Sequence, residues 1–129
     1  MIIGIGIDSV EINRFSEWHT YSEKKLKRVF SPKEIDYCLA QKNKSAERFA
    51  ARFAVKEAFF KAFSTACPQV YIPFLTLCRF VSIQKHNGRP VLSIDWKQLN
   101  INGIFYRCHI SLTHTRTTAS AFVIIEKTL

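Results

Sequence analysis

The clearest pattern of apolar and polar positions lies in residues 48–62, which contain no Gly or Pro and consist mainly of good helix formers. At about 100° per residue, four of the phenylalanines in and just after this segment fall within ~80° of one another. This aromatic stripe consists of Phe49, Phe53, Phe60 and Phe63. Glu57 lies at its edge, in line with two alanines and Lys61. The pattern predicts a long buried helix whose small-residue flank lets another layer or a ligand come close.

Residues 2–8 form a short apolar run that ends on Asp8 and predicts a buried strand. Gly4 and Gly6 permit the backbone of another element to approach this strand closely. No third glycine follows at the spacing of the dinucleotide-binding fingerprint, which argues against a Rossmann-type cofactor site. We expect Asp8 to emerge at the edge of the sheet.

Asp8 and Glu57 are thus two carboxylates placed where an acid is unfavourable without a positive partner. Mg²⁺ usually receives one or two carboxylates from a protein and leaves its other positions to water and phosphate. A simpler interpretation is a surface ion pair between Glu57 and Lys61, which are one helical turn apart. The residues alone leave both interpretations open.

The pattern after the first strand predicts further helices. A short helix near residues 11–18 is followed by helical spacing that continues to Arg28. Ser31, with proline next and Glu34 three residues on, forms a capping box that begins a helix running to about Gln41.

The second half of the chain predicts antiparallel strands. Ser45 can cap the long helix, with Glu47 near the positive end of the helix dipole. Residues 64–76, which follow this helix, are predicted to be irregular. The expected strands cover about residues 78–85, 90–95, 104–113 and 118–126, with a short helix near 96–99. Asn87-Gly88 is a strong hairpin turn. Helices followed by antiparallel strands predict an α+β fold, and apolar residues on both faces of the last strand predict burial on both sides or a subunit interface.

Two segments resemble the signature blocks of the 4′-phosphopantetheinyl transferases. They are Gly-Ile-Gly-Ile-Asp-Ser-Val-Glu-Ile-Asn-Arg at 4–14 and Arg-Phe-Ala-Val-Lys-Glu-Ala-Phe-Phe-Lys-Ala at 52–62. Weaker matches are Phe-Ser-Pro-Lys-Glu at 30–34, Asn-Gly-Arg-Pro at 87–90 and Ile-Ser-Leu-Thr-His at 110–114. Their order and the chain length resemble the small bacterial type, the holo-acyl-carrier-protein synthases.

The resemblance implies transfer of the 4′-phosphopantetheine arm of coenzyme A to a serine of apo-acyl carrier protein, with release of adenosine 3′,5′-bisphosphate, in fatty acid biosynthesis. Asp8 and Glu57 would hold Mg²⁺ against the pyrophosphate, and Lys61 would contact a phosphate oxygen. Further residues implied to bind coenzyme A are Arg52, Arg89, Ser111 and His114. A trimer with the active site between subunits is also implied.

The chain departs from the family pattern after the second block. Where the family usually has a glycine-rich loop, residues 64–69 read Ser-Thr-Ala-Cys-Pro-Gln, without glycine. Backbone that lies against a ligand commonly needs glycine's wider conformational range, so we expect this loop to differ or to bind less closely. Thr113 keeps the hydroxyl of the family's second serine, and Thr115 replaces its acid.

Charge indicates the kind of partner. The chain has 19 Lys and Arg against 10 Asp and Glu, a net charge of +9, which steers association towards acidic partners. Many of these cations form what we call the basic segment: Arg14, Lys24, Lys25, Lys27, Arg28 and Lys33. The resemblance implies acyl carrier protein as the acidic partner. The docking residues we expect are Arg14, Lys24, Lys25 and Arg28.

At 129 residues, the chain is expected to form a single domain over residues 1–129 with its own core. Its four cysteines show no Cys-x-x-Cys or zinc spacing, which predicts reduced thiols in the cytoplasm. Met1–Ile7 is too short for a signal peptide or a membrane span, so we expect no membrane partner.

Two alternatives remain. A catalytically degenerate transferase kept as an interaction module would account for the glycine-free loop. A basic RNA-binding protein would account for 13% aromatic residues together with a charge of +9. Against RNA binding, the aromatic residues lie at helix-core spacing, so nucleic acid is not the expected partner.

Overall fold

The chain folds around one long helix packed on a three-stranded sheet. The structure is a computed structural model that describes residues 1–128. Its strands are β1 (Ile2–Glu11), β2 (Val81–His86), β3 (Arg89–Ile94), β4 (Tyr106–His114) and β5 (Thr118–Lys127). Its helices are α1 (Glu23–Leu26), α2 (Pro32–Leu39), α3 (Ser45–Ala66) and α4 (Phe74–Cys78). The predicted α+β fold, with an N-terminal strand, a long helix and later antiparallel strands, is confirmed.

Two glycines of β1 let α3 pack directly onto the backbone of the strand. A Cβ added at Gly6 would lie 1.8 Å from the carbonyl oxygen of Ala58, and one at Gly4 would lie 2.2 Å from that of Ala62. Neither space admits a side chain, because carbon atoms in contact are separated by about 3.5 Å or more. The close approach predicted from these glycines is confirmed, and it fixes the position of β1 along α3.

The aromatic stripe of α3 lies in the core. Phe49, Phe53 and Phe63 are buried, and Phe60 is partly buried. Phe59, which is outside the stripe, is fully buried as well. α3 is therefore enclosed on more than one side, by β1, β4 and β5 and by α2 and α4. Among residues 1–128, no helix is long and apolar enough to cross a membrane.

β5 is the central strand of the three-stranded sheet, whose order is β1-β5-β4 with antiparallel neighbours. Ala121 and Val123 of β5 are buried, on the face that packs against α3. On the opposite face, Phe122 is partly exposed, and Ile5 and Ile7 of β1 are more than half exposed. Within one chain the last strand is thus buried on one face only, and the subunit interface stays a prediction.

The hairpin β2–β3 is tied to the helices by a buried ion pair. Lys56 of α3 donates to Glu34 of α2 at 2.8 Å, and both side chains are almost fully buried. Glu34 also accepts from the backbone N–H of Ser31 at 2.8 Å and of Ile83 at 3.0 Å. Lys56 donates to two backbone carbonyl oxygens, 2.6 and 3.1 Å away. The capping box predicted for Ser31 and Glu34 is confirmed. Because Lys56 is a core residue, it adds no charge to the surface.

Several element boundaries in the first half differ from those predicted. β1 runs three residues past Asp8, which therefore lies within the strand rather than at its end. The helical spacing up to Arg28 forms only two short 3-10 turns and the four-residue α1. Ser45 is the first residue of α3 and does not cap it; its hydroxyl is buried without a hydrogen-bond partner in the described chain.

Residues 64–76 are more helical than predicted. α3 continues to Ala66, and the short helix α4 begins at Phe74. The hydroxyls of Ser64 and Thr65 donate to carbonyl oxygens four residues earlier, at 2.8 and 3.3 Å, and no glycine ends the helix early. In contrast, the segment expected to be a helix at 96–99 is a turn, and β2 and β4 begin three and two residues later than predicted.

Candidate active site

The structure brings Asp8, Glu57 and Lys61 together where β1 crosses α3. Lys61 donates to a carboxylate oxygen of Asp8 at 3.1 Å and to the carbonyl oxygen of Ile7 at 3.0 Å. The simpler interpretation, an ion pair between Glu57 and Lys61, is wrong, because the carboxylate that Lys61 contacts is that of Asp8. The close packing of glycine on alanine allows the meeting, since it places the strand within side-chain reach of the helix.

Two features indicate that these carboxylates lack sufficient positive charge or hydrogen-bond donors around them. Burial, then a hydrogen bond and the negative charge of Asp8, raise the pKa of Glu57 above its ordinary value, although Arg14 and Lys61 lower it in part. The second oxygen of Asp8, Oδ2, is buried and has no hydrogen-bond partner. A cation between the two carboxylates would relieve both conditions.

The donor set suits a magnesium ion. Residues 1–128 contain no group of three or more His, Cys, Asp or Glu side chains that could hold a metal, so the protein offers two carboxylates here. Mg²⁺ accepts one or two carboxylates together with water and substrate phosphates. Asp8 and Glu57 therefore fit this ion, and the unpartnered oxygen of Asp8 marks the position at which it would be held.

We expect Mg²⁺ to stabilise the protein more at pH 8 than at pH 5. Because the pKa of Glu57 is raised in the folded state, its protonated form is favoured there, and the free protein loses stability as pH rises through that pKa. Mg²⁺ binds the ionised form and reverses this loss. At ten times its Kd it adds roughly 1.4 kcal/mol, a few degrees in Tm. Melting in MgCl₂ and in EDTA at both pH values measures this.

Asp8→Asn is the control for this melting experiment. It removes one ligand charge and should abolish the difference between MgCl₂ and EDTA at pH 8. An equal Mg²⁺ effect in the variant would show that the ion binds elsewhere.

A cationic cavity of about 390 Å³ lies further towards the start of α3. The charged and hydrogen-bonding side chains along it include Tyr37, Lys44, Arg48, Arg52, Lys85 and His114. Arg52 precedes Glu57 by five residues, which is about 7.5 Å along the helix axis but about 140° around it. Neither Asp8 nor Glu57 lines the cavity, so within one chain the cavity and the carboxylates lie on different sides of α3.

Not all residues implied to bind coenzyme A line this cavity. Arg52 and His114 do, and Nε2 of His114 lies 2.5 Å from a carboxylate oxygen of Glu47. Arg89 is exposed and does not line it, although its two neighbours do. Ser111 is exposed on the outer face of β4 and lies outside the cavity. The structure thus brings together part of this predicted set.

Some residues of the cavity are absent from the sequence-based prediction. Arg48 is one of them, although it lies four residues before the predicted Arg52 on α3, a spacing that indicates a shared cationic face. Tyr37 on α2 and Lys85 on β2 carry no such signal, because only the tertiary fold brings them to α3.

The basic segment is exposed, and some of its cations are held by neighbours. The guanidinium of Arg14 lies 5.0 Å from the ring centre of Phe53, and the ammonium of Lys25 lies 3.7 Å from that of Tyr21. The positive charge of Arg14 also lowers the pKa of Glu57 in part, so it acts on the carboxylates. Lys24, Lys25 and Arg28 extend the positive surface away from that point.

Comparison of the sequence with protein-family models identifies the class of protein. The family model of the 4′-phosphopantetheinyl transferase superfamily matches residues 4–123. The chain belongs to this superfamily.

The relatives narrow the class to one kind of transferase. A holo-[acyl-carrier-protein] synthase of Treponema denticola is 37% identical, covering 98% of this chain and 99% of the relative. One of Halothermothrix orenii is 36% identical with the same coverage. The resemblance stated from the sequence motifs is confirmed.

The solved structures that resemble this fold include synthases of the same kind as the sequence relatives. The coenzyme A complex of the acyl-carrier-protein synthase of Chronobacterium ammoniagenes has a TM-score of 0.77 at 25% identity and covers 98% of both chains. The holo-(acyl-carrier-protein) synthase of Bacillus anthracis in complex with coenzyme A (3′,5′-ADP) has a TM-score of 0.73 at 29% identity and covers 99% of both chains.

Proposed function

We propose that this chain transfers the 4′-phosphopantetheine arm of coenzyme A to a serine of apo-acyl carrier protein, with Mg²⁺ held by Asp8 and Glu57. The carrier so modified would serve fatty acid biosynthesis in the cytoplasm. The observation that carries the proposal is the meeting of Asp8, Glu57 and Lys61 in a chain that also has a cationic cavity on another side of α3. Membership of the superfamily supports it.

The reaction requires charge neutralisation more than covalent help from the protein. The serine oxygen forms a bond to the phosphorus next to the pantetheine, the P–O bond to the second phosphate breaks, and adenosine 3′,5′-bisphosphate leaves with the electron pair. Such transfers depend on positioning and on stabilisation of the developing charge. Mg²⁺, when bound, supplies Lewis-acid polarisation of the pyrophosphate.

Residues of the chain stabilise the phosphate charge and accept the serine proton. Lys61, whose ammonium already lies beside Asp8, adds a mobile positive charge that can follow the phosphate oxygens. The serine proton goes to Glu57 or to a water molecule beside it.

Two further surfaces of the chain suit the two substrates. The cavity lined by Arg52 and His114 would bind the anionic end of coenzyme A. The basic segment would dock an acidic carrier, because Arg14 joins that surface to the carboxylates. We also propose that copies associate as a trimer through the exposed apolar face of the sheet, which includes Ile5, Ile7 and Phe122.

Intact-mass spectrometry tests the function directly. The protein is incubated with apo-acyl carrier protein, coenzyme A and Mg²⁺, and the carrier is then weighed. We expect a mass gain of one phosphopantetheine, which EDTA abolishes and excess Mg²⁺ restores. The nucleotide product, adenosine 3′,5′-bisphosphate, should appear in equal amount.

A negative result would also be informative. If a folded protein and a carrier that a known synthase can modify give no mass gain, the proposed activity is wrong. The glycine-free segment after α3 would then point to the degenerate transferase, because this is where the chain departs most from the family pattern.

A further inference from the structure

Tyr37 of α2 lies at the centre of three cations. The centre of its ring is 4.0 Å from the guanidinium carbon of Arg48, 4.1 Å from that of Arg52 and 4.7 Å from the ammonium nitrogen of Lys85. Arg48 also donates a hydrogen bond of 2.7 Å to the carbonyl oxygen of Tyr37. Side chains from α3 and β2 thus converge on one aromatic ring supplied by α2.

These cations have no carboxylate to hold them. In the part of the chain that the structure describes, none of the three forms an ion pair. Arg52 is 7% exposed, and its Nε is buried without a hydrogen-bond partner. Three like charges repel, and long side chains gain conformational freedom when released. Attraction to the ring face opposes both effects.

The Tyr37 hydroxyl reports the strength of this positive field. Burial raises its pKa, but a hydrogen bond from Lys85 and the charges of Lys85, Arg48 and Arg52 together outweigh burial. The pKa of Tyr37 is therefore lowered from its ordinary value. The ring and its cations form one electrostatic unit.

Arg52 and Lys85 also border a second cavity into which their side chains could turn. Tyr37, Arg52 and Lys85 line both the cationic cavity and a smaller cavity of about 250 Å³. Glu34 lines the smaller cavity but is already engaged by Lys56. Without the aromatic ring, Arg52 and Lys85 would be free to turn out of the larger cavity.

We propose that Tyr37 is a positioning residue for coenzyme A, whose ring holds Arg48, Arg52 and Lys85 towards the cavity that receives its phosphate groups. This inference rests on the proposed function. Tyr37 itself contacts no reacting atom. Its effect is on binding, since cations fixed before the ligand arrives lose less conformational freedom when it binds.

Replacing the ring while keeping an apolar side chain tests this role. Tyr37→Leu should raise the KM for coenzyme A about tenfold, because three cation–π contacts are lost. kcat and the KM for the carrier should change less than about twofold. Tyr37→Phe keeps the ring and should behave like the parent protein. If Tyr37→Leu does not fold, Tyr37→Met replaces it.

Binding without turnover separates this proposal from the proposed function. Calorimetry with adenosine 3′,5′-bisphosphate should show the same tenfold weakening in Tyr37→Leu, and this readout stands even if no carrier is modified. Tyr71→Leu is the matched control, because Tyr71 is 83% exposed and lines none of the described cavities. Unchanged binding in Tyr37→Leu, equal losses in Tyr37→Phe and Tyr37→Leu, or a fall in kcat alone would overturn the proposal.

Discussion

Replacement of Asp8 by asparagine is expected to lower kcat/KM for carrier modification by about 10³-fold. The change removes one of the two carboxylates that would hold Mg²⁺ and takes away the negative partner of Lys61. Asparagine has nearly the same shape, so the close contact between β1 and α3 is kept. Glu57→Gln should give a loss of similar size for the same reason. The carrier mass-gain assay, run as a time course over a range of coenzyme A concentrations, measures both.

Glu11→Gln is the matched control for the carboxylate variants. Glu11 is an acid on the same strand but is exposed and lies on the opposite face from Asp8, so this variant should keep full activity. Melting temperatures of all three variants distinguish lost chemistry from lost folding. Turnover within tenfold of the parent protein in Asp8→Asn, with Mg²⁺ present, would show that the metal site is assigned to the wrong residues.

The second large effect concerns stability, and it arises one residue from the active site. Lys56→Met is expected to destabilise the fold by about 3–5 kcal/mol, because it leaves the buried Glu34 carboxylate without its positive partner. Glu34 also receives backbone N–H groups of α2 and β2, so the hairpin should loosen with it. Urea unfolding followed by circular dichroism gives the change in unfolding free energy.

Lys61→Met is the internal comparison for this prediction. Lys61 is on the same helix, but its side chain is 54% exposed while that of its partner Asp8 is 10% exposed. Because water reaches this pair from one side, we expect its loss to cost about 1–2 kcal/mol, less than the loss of the fully buried pair. The double variant Glu34→Gln with Lys56→Met should recover part of the loss, because no unpaired charge is left. If Lys56→Met and Lys61→Met proved equally stable, the buried pair would not be an anchor of the fold.

The sequence predicted the parts of the site that depend on local pattern. Asp8 and Glu57 stood out because each is an acid in an apolar context, and glycines opposite alanines anticipated how strand and helix would meet. The direction of Lys61 was open from the sequence alone, since an i, i+4 spacing favours Glu57. Lys61 contacts Asp8 because β1 crosses α3 in the folded chain, which the sequence spacing does not show.

Other features could not be predicted because they depend on residues distant in the sequence. Lys56 reads as one more surface cation of a basic chain, yet it meets Glu34, 22 residues earlier, in the core. Likewise, Tyr37 and Lys85 become part of the site only when the hairpin folds over α2. The end of α3 was misjudged for a different reason, because residues 64–67 contain no glycine or proline that would end the helix there.

The sheet order makes the position of Asp8 depend on two distant parts of the chain. In the part of the chain that the structure describes, β1 pairs with one strand, β5, which spans Thr118–Lys127. Its other support is α3, which packs on the glycines of β1. If β5 were removed, the backbone hydrogen-bonding groups of β1 would lose their partners, and packing on α3 alone would have to keep Asp8 beside Lys61. The distance between these two side chains is therefore sensitive to damage at the far end of the fold.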